Sequence, residues 1–307
     1  MYTSNINTFL KKTYVCYKKK LPLRLNTTCN ITLFVEGNGG GVNISTKILT
    51  FLSDFGMKSS YVSQMKAVAL SITNDVHIVD ITHEITPHNV REGAFVLKTA
   101  VPFFPTGTVH VAVVDPGVGT NRKGIVITTE SQILIGPDNG LLIPAAQVLG
   151  HYIVYEIQNT RFMLKLFSNT FHGRDIFTPV AAHILSGVLF EEIGPVVNDY
   201  VKIDFEGSKI TNNTAIGKIV YIDGFGNIIT NIEGDRLQQV LEYGKKIMLF
   251  INGKQQEIPF VKTYGSVKPG EILATVGSHR YLEISVNQGN AALKLDVKPD
   301  DEVKIFF

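Results

Sequence analysis

Two aspartates stand where a folded chain can use them. Asp115 follows Thr108 to Val114, a run of β-branched and small apolar residues that reads as a buried strand. Pro116 fixes φ and removes a donor, and Gly117 and Gly119 open backbone conformations closed to other residues, so the chain turns sharply straight after the carboxylate. Arg122 comes a few residues later. Asp54 ends an earlier strand-like run, KILTFLSD, and is followed by Phe55-Gly56. In open α/β sheets the carboxyl edge of the strands is where ligands bind. Two carboxylates on that edge suit vicinal hydroxyls, because each oxygen accepts charge-assisted hydrogen bonds. Each also has a structural alternative: Asp115 as the cap of its own turn, Asp54 as the cap of the helix that follows.

Three further stretches gather polar and aromatic groups. TFHGRDIF (Thr170 to Phe177) sets an aromatic, an imidazole and an Arg-Asp pair just before a helix-like segment; His172 is a candidate acid or base, or a structural histidine. IDGFGNIITNI (Ile222 to Ile232) packs Asp223, Phe225, Asn227 and Asn231 around two glycines, as a ligand loop or as a hairpin turn. SHRYLEISVNQGNAA (Ser278 to Ala292) ends a strand in small and amide residues, which lets backbone approach a planar ligand or is simply a loop. Cys/His metal spacing, a Walker loop, G-x-S-x-G and GxGxxG are all missing from the sequence.

Elements that would position these groups are legible from about Lys47. Strands are expected at Lys47 to Asp54, Val76 to Thr82, Thr108 to Asp115, Gly124 to Glu130 and around Gln132 to Gly140. Helices are expected at Ser60 to Asn74, Val90 to Phe104, Gly140 to Leu149 and Phe177 to Leu189. This alternation predicts an α/β domain over residues 47–200, with a largely parallel sheet covered on both faces. After about Pro195 the texture changes to short β-rich runs separated by Gly, Asn and Pro, with a possible helix at Asp235 to Tyr243. Residues 206–307 therefore read as a smaller all-β domain.

The 307 residues, 44% hydrophobic and 18% charged, have the make-up of a globular protein with a substantial core. The net charge of +2 is uneven. Residues 1–46 carry six basic residues (Lys11, Lys12, Lys18, Lys19, Lys20, Arg24) against Glu36 alone, leaving 23 basic and 26 acidic residues elsewhere. A mildly acidic body offers no basic face for nucleic acid. Both cysteines, Cys16 and Cys29, lie in the same segment, so the body has no disulfide framework, which fits a cytoplasmic protein. No stretch reaches the about 18 apolar residues of a membrane span. Residues 1–46, ending in a glycine run at Gly37 to Gly41, read as a disordered, dispensable extension: either a gene-model artefact upstream of a start near Ile44, or a targeting peptide.

Taken together, LSDFG (Leu52 to Gly56), DITHEITP (Asp80 to Pro87), GTVHVAVVDPGVGT (Gly107 to Thr120), GPDNG (Gly136 to Gly140), FHGRD (Phe171 to Asp175), DGFGNIITNI and SHRYLEISVNQGNAA resemble the S-adenosyl-L-methionine (SAM) hydroxide adenosyltransferases, or SAM hydrolases, relatives of fluorinating and chlorinating enzymes. The resemblance implies hydrolysis of SAM to adenosine and L-methionine, without metal or organic cofactor, SAM being the substrate. It implies that Asp115, Arg122 and His172 activate water, with either Asp115 or His172 as the base. It assigns Asp54 to the ribose, Asp223, Asn227 and Ser278 to the methionine end, and Glu283 with the backbone around Val286 to the adenine; Phe171, beside the triad, is a further substrate-binding residue. It further implies a homotrimer whose sites are shared between chains. His88-Asn89 departs from the family pattern, which places an aromatic after DITHEITP. A halogenase is the alternative within the family, disfavoured by the triad and by the short Phe103 to Thr108 connection. A non-catalytic SAM- or adenosine-binding module is the alternative outside it.

Overall fold

The computed structural model describes residues 47–166, 168–205 and 207–307; the expectations placed on residues 1–46 lie outside the described residues. The described residues form one compact unit. Its first half runs β1 (Ile48–Ser53), α1 (Tyr61–Ile72), β2 (His77–Thr82), α2 (Val90–Ala100), β3 (Val109–Val113), β4 (Gly124–Thr129), β5 (Ile133–Pro137), α3 (Ile143–Val148), β6 (Tyr152–Glu156), α4 (Thr178–Leu185) and α5 (Phe190–Ile193).

These six strands form one sheet in the order β2-β1-β3-β5-β4-β6. The first four are parallel. β4 runs antiparallel to both β5 and β6. The cause is local: Glu130 to Gln132 alone join β4 to β5, too short for the crossover a parallel pair needs. β6 is a strand that the sequence reading passes over.

Alternate strand residues feed two cores, as a period of two requires. Phe51, Val111, Val113 and Val126 pack with Met65 and Ala69 of α1 and Val180 and Ala181 of α4. Leu52, Ala112, Val114, Ile125 and Ile127 pack on the other face with Ala94, Phe95 and Leu97 of α2 and Ile143 of α3. That alternation is what leaves the strand ends, and the turns that carry Asp54 and Asp115, at an open edge.

The second half runs β7 (Lys209–Ile210), β8 (Thr214–Ile222), β9 (Ile228–Glu233), α6 (Gly234–Leu237), β10 (Lys246–Ile251), β11 (Lys254–Pro259), β12 (Ile272–Val276), β13 (Tyr281–Val286), α7 (Ala291–Leu295) and β14 (Glu302–Phe306). Its strands pair antiparallel in the order β11-β10-β14-β8-β9-β13-β12, with β7 on β8. A bridge between Phe260 and Ala274 joins the end of β11 to β12, nearly closing a barrel around Ile219, Ile228, Leu249, Ile284 and Ile305. The helix expected over Asp235 to Tyr243 is confined to α6. The halves are packed together: Val220, Ile229 and Phe205 belong to the same core as α2 and α3.

Candidate active site

The β1–β3 register pairs Ser53 with Val113, so Asp54 and Asp115 emerge on one edge of the sheet. Behind Asp115, the Asn139 amide donates to the Val114 carbonyl at 2.8 Å, bracing the strand end. Arg122 closes the turn. Its Nε donates to Asp115 Oδ1 at 3.1 Å and its Nη2 to Oδ2 at 2.6 Å, a two-point fork with both side chains nearly buried, at 9% and 5% exposure. The guanidinium also lies over the Phe177 ring at 5.3 Å. The Asp115 carboxylate is thus bound to Arg122 rather than spent on capping its own turn.

His172 joins this pair from across the sequence, accepting from Arg122 Nη2 on Nδ1 at 3.0 Å. A guanidinium has no lone pair to offer, so Nδ1 must be the acceptor, and a neutral imidazole then carries its proton on Nε2. Burial first, and then the Arg122 cation, push His172 below its ordinary value, against weaker pulls from Asp115 and Asp175.

The backbone around His172 is held on both sides. It opens a single π-helical turn, Gly173–Phe177, a local departure often met at functional sites. Buried Asp175 receives Arg174 Nε at 2.5 Å and the Ser168 N–H at 2.7 Å. Gly119, at φ +77°, lies against the Asn169 carbonyl so closely that a Cβ would overlap it. The Asp115 turn and the His172 loop therefore interlock.

Asp54, Asp115, Phe171 and His172 line a cavity of about 290 Å³, together with Phe55, Tyr61, His88 and Thr170. Phe171 meets Phe55 and Tyr61 edge-on at 5.6 and 5.1 Å. Asp54 is free of the cap role, since α1 begins at Tyr61 with Ser60 at its N-cap; instead its Oδ2 accepts from the His88 N–H at 2.9 Å. His88 makes that contact at φ +66°. Asn89, the other departure from the family pattern, caps α2 by accepting from the Glu92 N–H.

Asp223, Asn227, Ser278, Glu283 and Val286 line a different cavity, of about 550 Å³, with Phe225, Tyr264, His279 and Gln288. The β8–β9 connection is indeed a hairpin. Asp223 Oδ1 accepts from the Phe225 and Asn227 N–H groups, and Oδ2 from the Asn227 amide at 2.8 Å, so turn and cavity wall are the same residues. Glu283 is buried; its Oε1 accepts from Tyr264 Oη and Ser285 Oγ, each at 2.7 Å. Burial first, and then Glu283, raise the Tyr264 phenol.

Sequence reading missed Tyr264, which lies in a short turn (Tyr264–Ser266) with no motif of its own; the only signal was a tyrosine among turn residues. It also missed Phe55, next to Asp54 in the chain, and Tyr61, at the start of α1, as cavity walls. Among the described residues, no group of three or more His, Cys, Asp or Glu is arranged to hold a metal, and no helix is long and apolar enough to cross a membrane.

Comparison with known proteins matches residues 49–194 to the SAM hydroxide adenosyltransferase N-terminal domain and residues 217–304 to its C-terminal domain. This chain belongs to the SAM hydroxide adenosyltransferase family. An (R)-S-adenosyl-L-methionine hydrolase of Methanocaldococcus jannaschii is 41% identical over 270 residues, covering 85% of this chain and 96% of that protein. A fluorinase of Actinopolyspora mzabensis is 28% identical over 291 residues, covering 85% and 97%. Among solved structures, an uncharacterized conserved protein from Thermotoga maritima superposes with a TM-score of 0.80 at 40% identity, covering 84% of this chain and 99% of that one. For the same share of this family member, the fluorinase match is longer than the hydrolase match, so the fluorinase carries residues with no counterpart here.

Proposed function

We propose that this chain hydrolyses SAM to adenosine and L-methionine by attack of water on the ribose 5′ carbon. The observation that carries the reading is the Asp115–Arg122–His172 cluster opening on the cavity that Asp54 shares. The 5′ carbon is already activated: as the C5′–S bond breaks, its electron pair discharges the sulfonium and methionine leaves as a neutral thioether. The demanding component is the nucleophile. A water oxygen forms the C5′–O bond while its proton passes to a base during the attack, which a positioned carboxylate assists.

Asp115 is that base in our reading. The His172 Nδ1 lone pair is occupied by Arg122 and Nε2 carries the proton, so His172 donates and orients. Each Asp115 oxygen keeps a lone pair beyond the one it gives Arg122. Arg122 offsets the negative charge that gathers on the water oxygen. Asp54 takes the ribose hydroxyls. No redox or carrier chemistry is called for, so we propose neither metal nor organic cofactor.

The residues read as holding the methionine and adenine ends, Asp223, Asn227, Ser278 and Glu283 with the Val286 backbone, sit in the second cavity, apart from the triad and Asp54 in the first. This supports a homotrimer in which residues 47–200 of one chain face residues 206–307 of the next, a ring that closes on itself. A cysteine-free body and a small metabolite as substrate fit a cytoplasmic enzyme with neither nucleic acid nor membrane as partner.

The test is incubation of purified protein with SAM in H₂¹⁸O, with and without chloride or fluoride. Adenosine labelled at the 5′ oxygen, in the same yield with halide, is the expected product. A 5′-halogenated nucleoside would transfer the reading to the halogenating branch, and unchanged SAM that is nevertheless bound would leave a binding module.

A further inference from the structure

Behind Asp54 lies a chain of polar groups that the reaction does not touch. Ser53, fully buried, pairs its Oγ with His83 Nδ1 at 2.7 Å and accepts the Phe55 N–H at 3.3 Å. His83, 4% exposed, turns Nε2 toward Asp80 Oδ1 at 3.1 Å. Asp80 Oδ2 in turn holds Lys66 Nζ of α1 at 2.5 Å. Two backbone bonds clasp the same turn: Gly56 N–H to the His83 carbonyl at 2.8 Å, and Ile85 N–H to the Ser53 carbonyl at 3.4 Å. Asp54 is enclosed on both sides by residues this network grips.

The composition is that of a serine, a histidine and an aspartate in line, but a hydrolytic role is excluded by burial: Ser53 exposes no surface to a substrate. The links also differ in quality. Ser53 to His83 is a well-formed hydrogen bond, whereas Nε2 meets Asp80 without the alignment of one. The Ser53 link is therefore the one that sets the turn, and Asp80 with Lys66 holds the imidazole from behind.

We propose that His83, acting through Ser53, is a positioning residue that aims the Asp54 carboxylate at the ribose hydroxyls. This rests on the reading of Asp54 as the ribose ligand. The relay reaches back to α1, so the backbone that carries the carboxylate is tied to a helix, while the carboxylate itself meets the His88 N–H. Substrate recognition then depends on residues that never meet the substrate.

The test uses the full chain and two nucleosides, adenosine and 2′,3′-dideoxyadenosine, whose affinities are measured by calorimetry for wild type, Ser53→Ala, His83→Ala, His83→Asn and Asp54→Ala. Wild type is expected to prefer adenosine. Ser53→Ala and His83→Ala are expected to reduce that preference by about tenfold, the worth of one well-formed hydrogen bond, with dideoxyadenosine affinity unchanged. His83→Asn, whose amide reaches the Nδ1 position, is expected to retain most of the preference. In the Asp54→Ala background, Ser53→Ala is expected to add nothing. If folded Ser53→Ala keeps the full preference, or weakens both nucleosides alike, the relay is only structural and the proposal fails. If wild type makes adenosine from SAM yet binds both nucleosides equally, the ribose role of Asp54 is what fails, and the relay falls with it. If wild type makes no adenosine but still discriminates, the hydrolase reading fails while the relay stands.

Discussion

The cavity at the edge of the α/β sheet is walled by side chains that hold one another, whereas the cavity in the barrel is walled by turns. In the first, Asp115 and Arg122 of one turn meet His172 from 50 residues further along the chain in a nearly buried cluster. In the second, the Asp223–Asn227 contacts span four residues and close a hairpin, and Phe225 at its tip is 80% exposed. Glu283 and Val286 are set into the barrel wall on β13, where Glu283 accepts from Ser285 beside it and from Tyr264 in a turn. The difference teaches a division of labour. Chemistry needs donors and acceptors fixed before the substrate arrives, while recognition can be completed by whatever covers an open turn, here in our reading the next subunit.

The hardest blow to this contrast falls on the first cavity. Asp115→Ala is expected to lower kcat by roughly 10²-fold to 10⁴-fold while calorimetry still records SAM binding. Asp115→Asn, similar in shape, should lose as much, which separates lost chemistry from a collapsed Arg122. Turnover near the wild-type rate in either variant would make Asp115 a binding residue and return the base assignment to His172.

The α/β half also carries the acid-sensitive core. His110 is buried between Thr50 Oγ1 at 2.7 Å and Gln132 Oε1 at 2.9 Å, and burial, only partly opposed by the Gln132 contact, pushes it down to about 4 from 6.5. Its folded value is depressed, so its contribution is whole above pH 6.5 and is lost as pH falls toward 4. Urea unfolding at pH 7 and near pH 4 should differ by roughly 3 kcal/mol from this group alone. His110→Gln should remove that share of the slope; an unchanged slope would take His110 out of the account.

His172 gives a related limb in catalysis. Protonating Nδ1 ends its acceptance from Arg122 and sets two cations side by side. Its value lies below 6.5, so kcat/KM should hold from neutral pH to about 6.5 and fall only beneath it, approaching tenfold per unit once past the pKa. His172→Gln should lose that limb. A limb centred above 6.5 would contradict the buried, Arg122-bound imidazole.

In the second cavity the expected signature is reversed. Tyr264→Phe and Glu283→Gln should raise KM by about tenfold with kcat nearly unchanged, as for binding made equally in ground and transition states. A fall in kcat without a change in KM would erase the division between the cavities. The smallest effect tests whether they meet at all. Mixing Asp115→Ala with Asn227→Ala subunits, each poorly active alone when SAM is held well below KM, should restore under that condition up to about a quarter of wild-type activity, since in a randomly mixed ring one interface in four joins two intact halves. No recovery after confirmed subunit exchange would place both halves of the site within one chain.

Much of the first cavity was legible. The apolar run before Asp115 and the Pro116-Gly117 break after it predict a carboxylate at a strand end, and the sheet places it there. Asp54 followed from the same pattern. The 50-residue separation between Arg122 and His172 carries no such signal, and neither does Tyr264 against Glu283, because contacts across that distance depend on how loops fold back rather than on any period in the chain.

The sequence by itself determined most of the strands and helices, β6 and the extent of α6 excepted, where two carboxylates leave the sheet and which family the chain joins, since these rest on local periodicity, on turn chemistry and on residue types in order. Only the tertiary structure decided that β6 takes the sheet edge beside β4, that Arg122 grips Asp115 at two points and occupies the Nδ1 of His172, and that Glu283 and Asn227 stand in a separate cavity. Those outcomes depend on packing between distant segments: which lone pair remains free is a property of the angle at which two side chains meet.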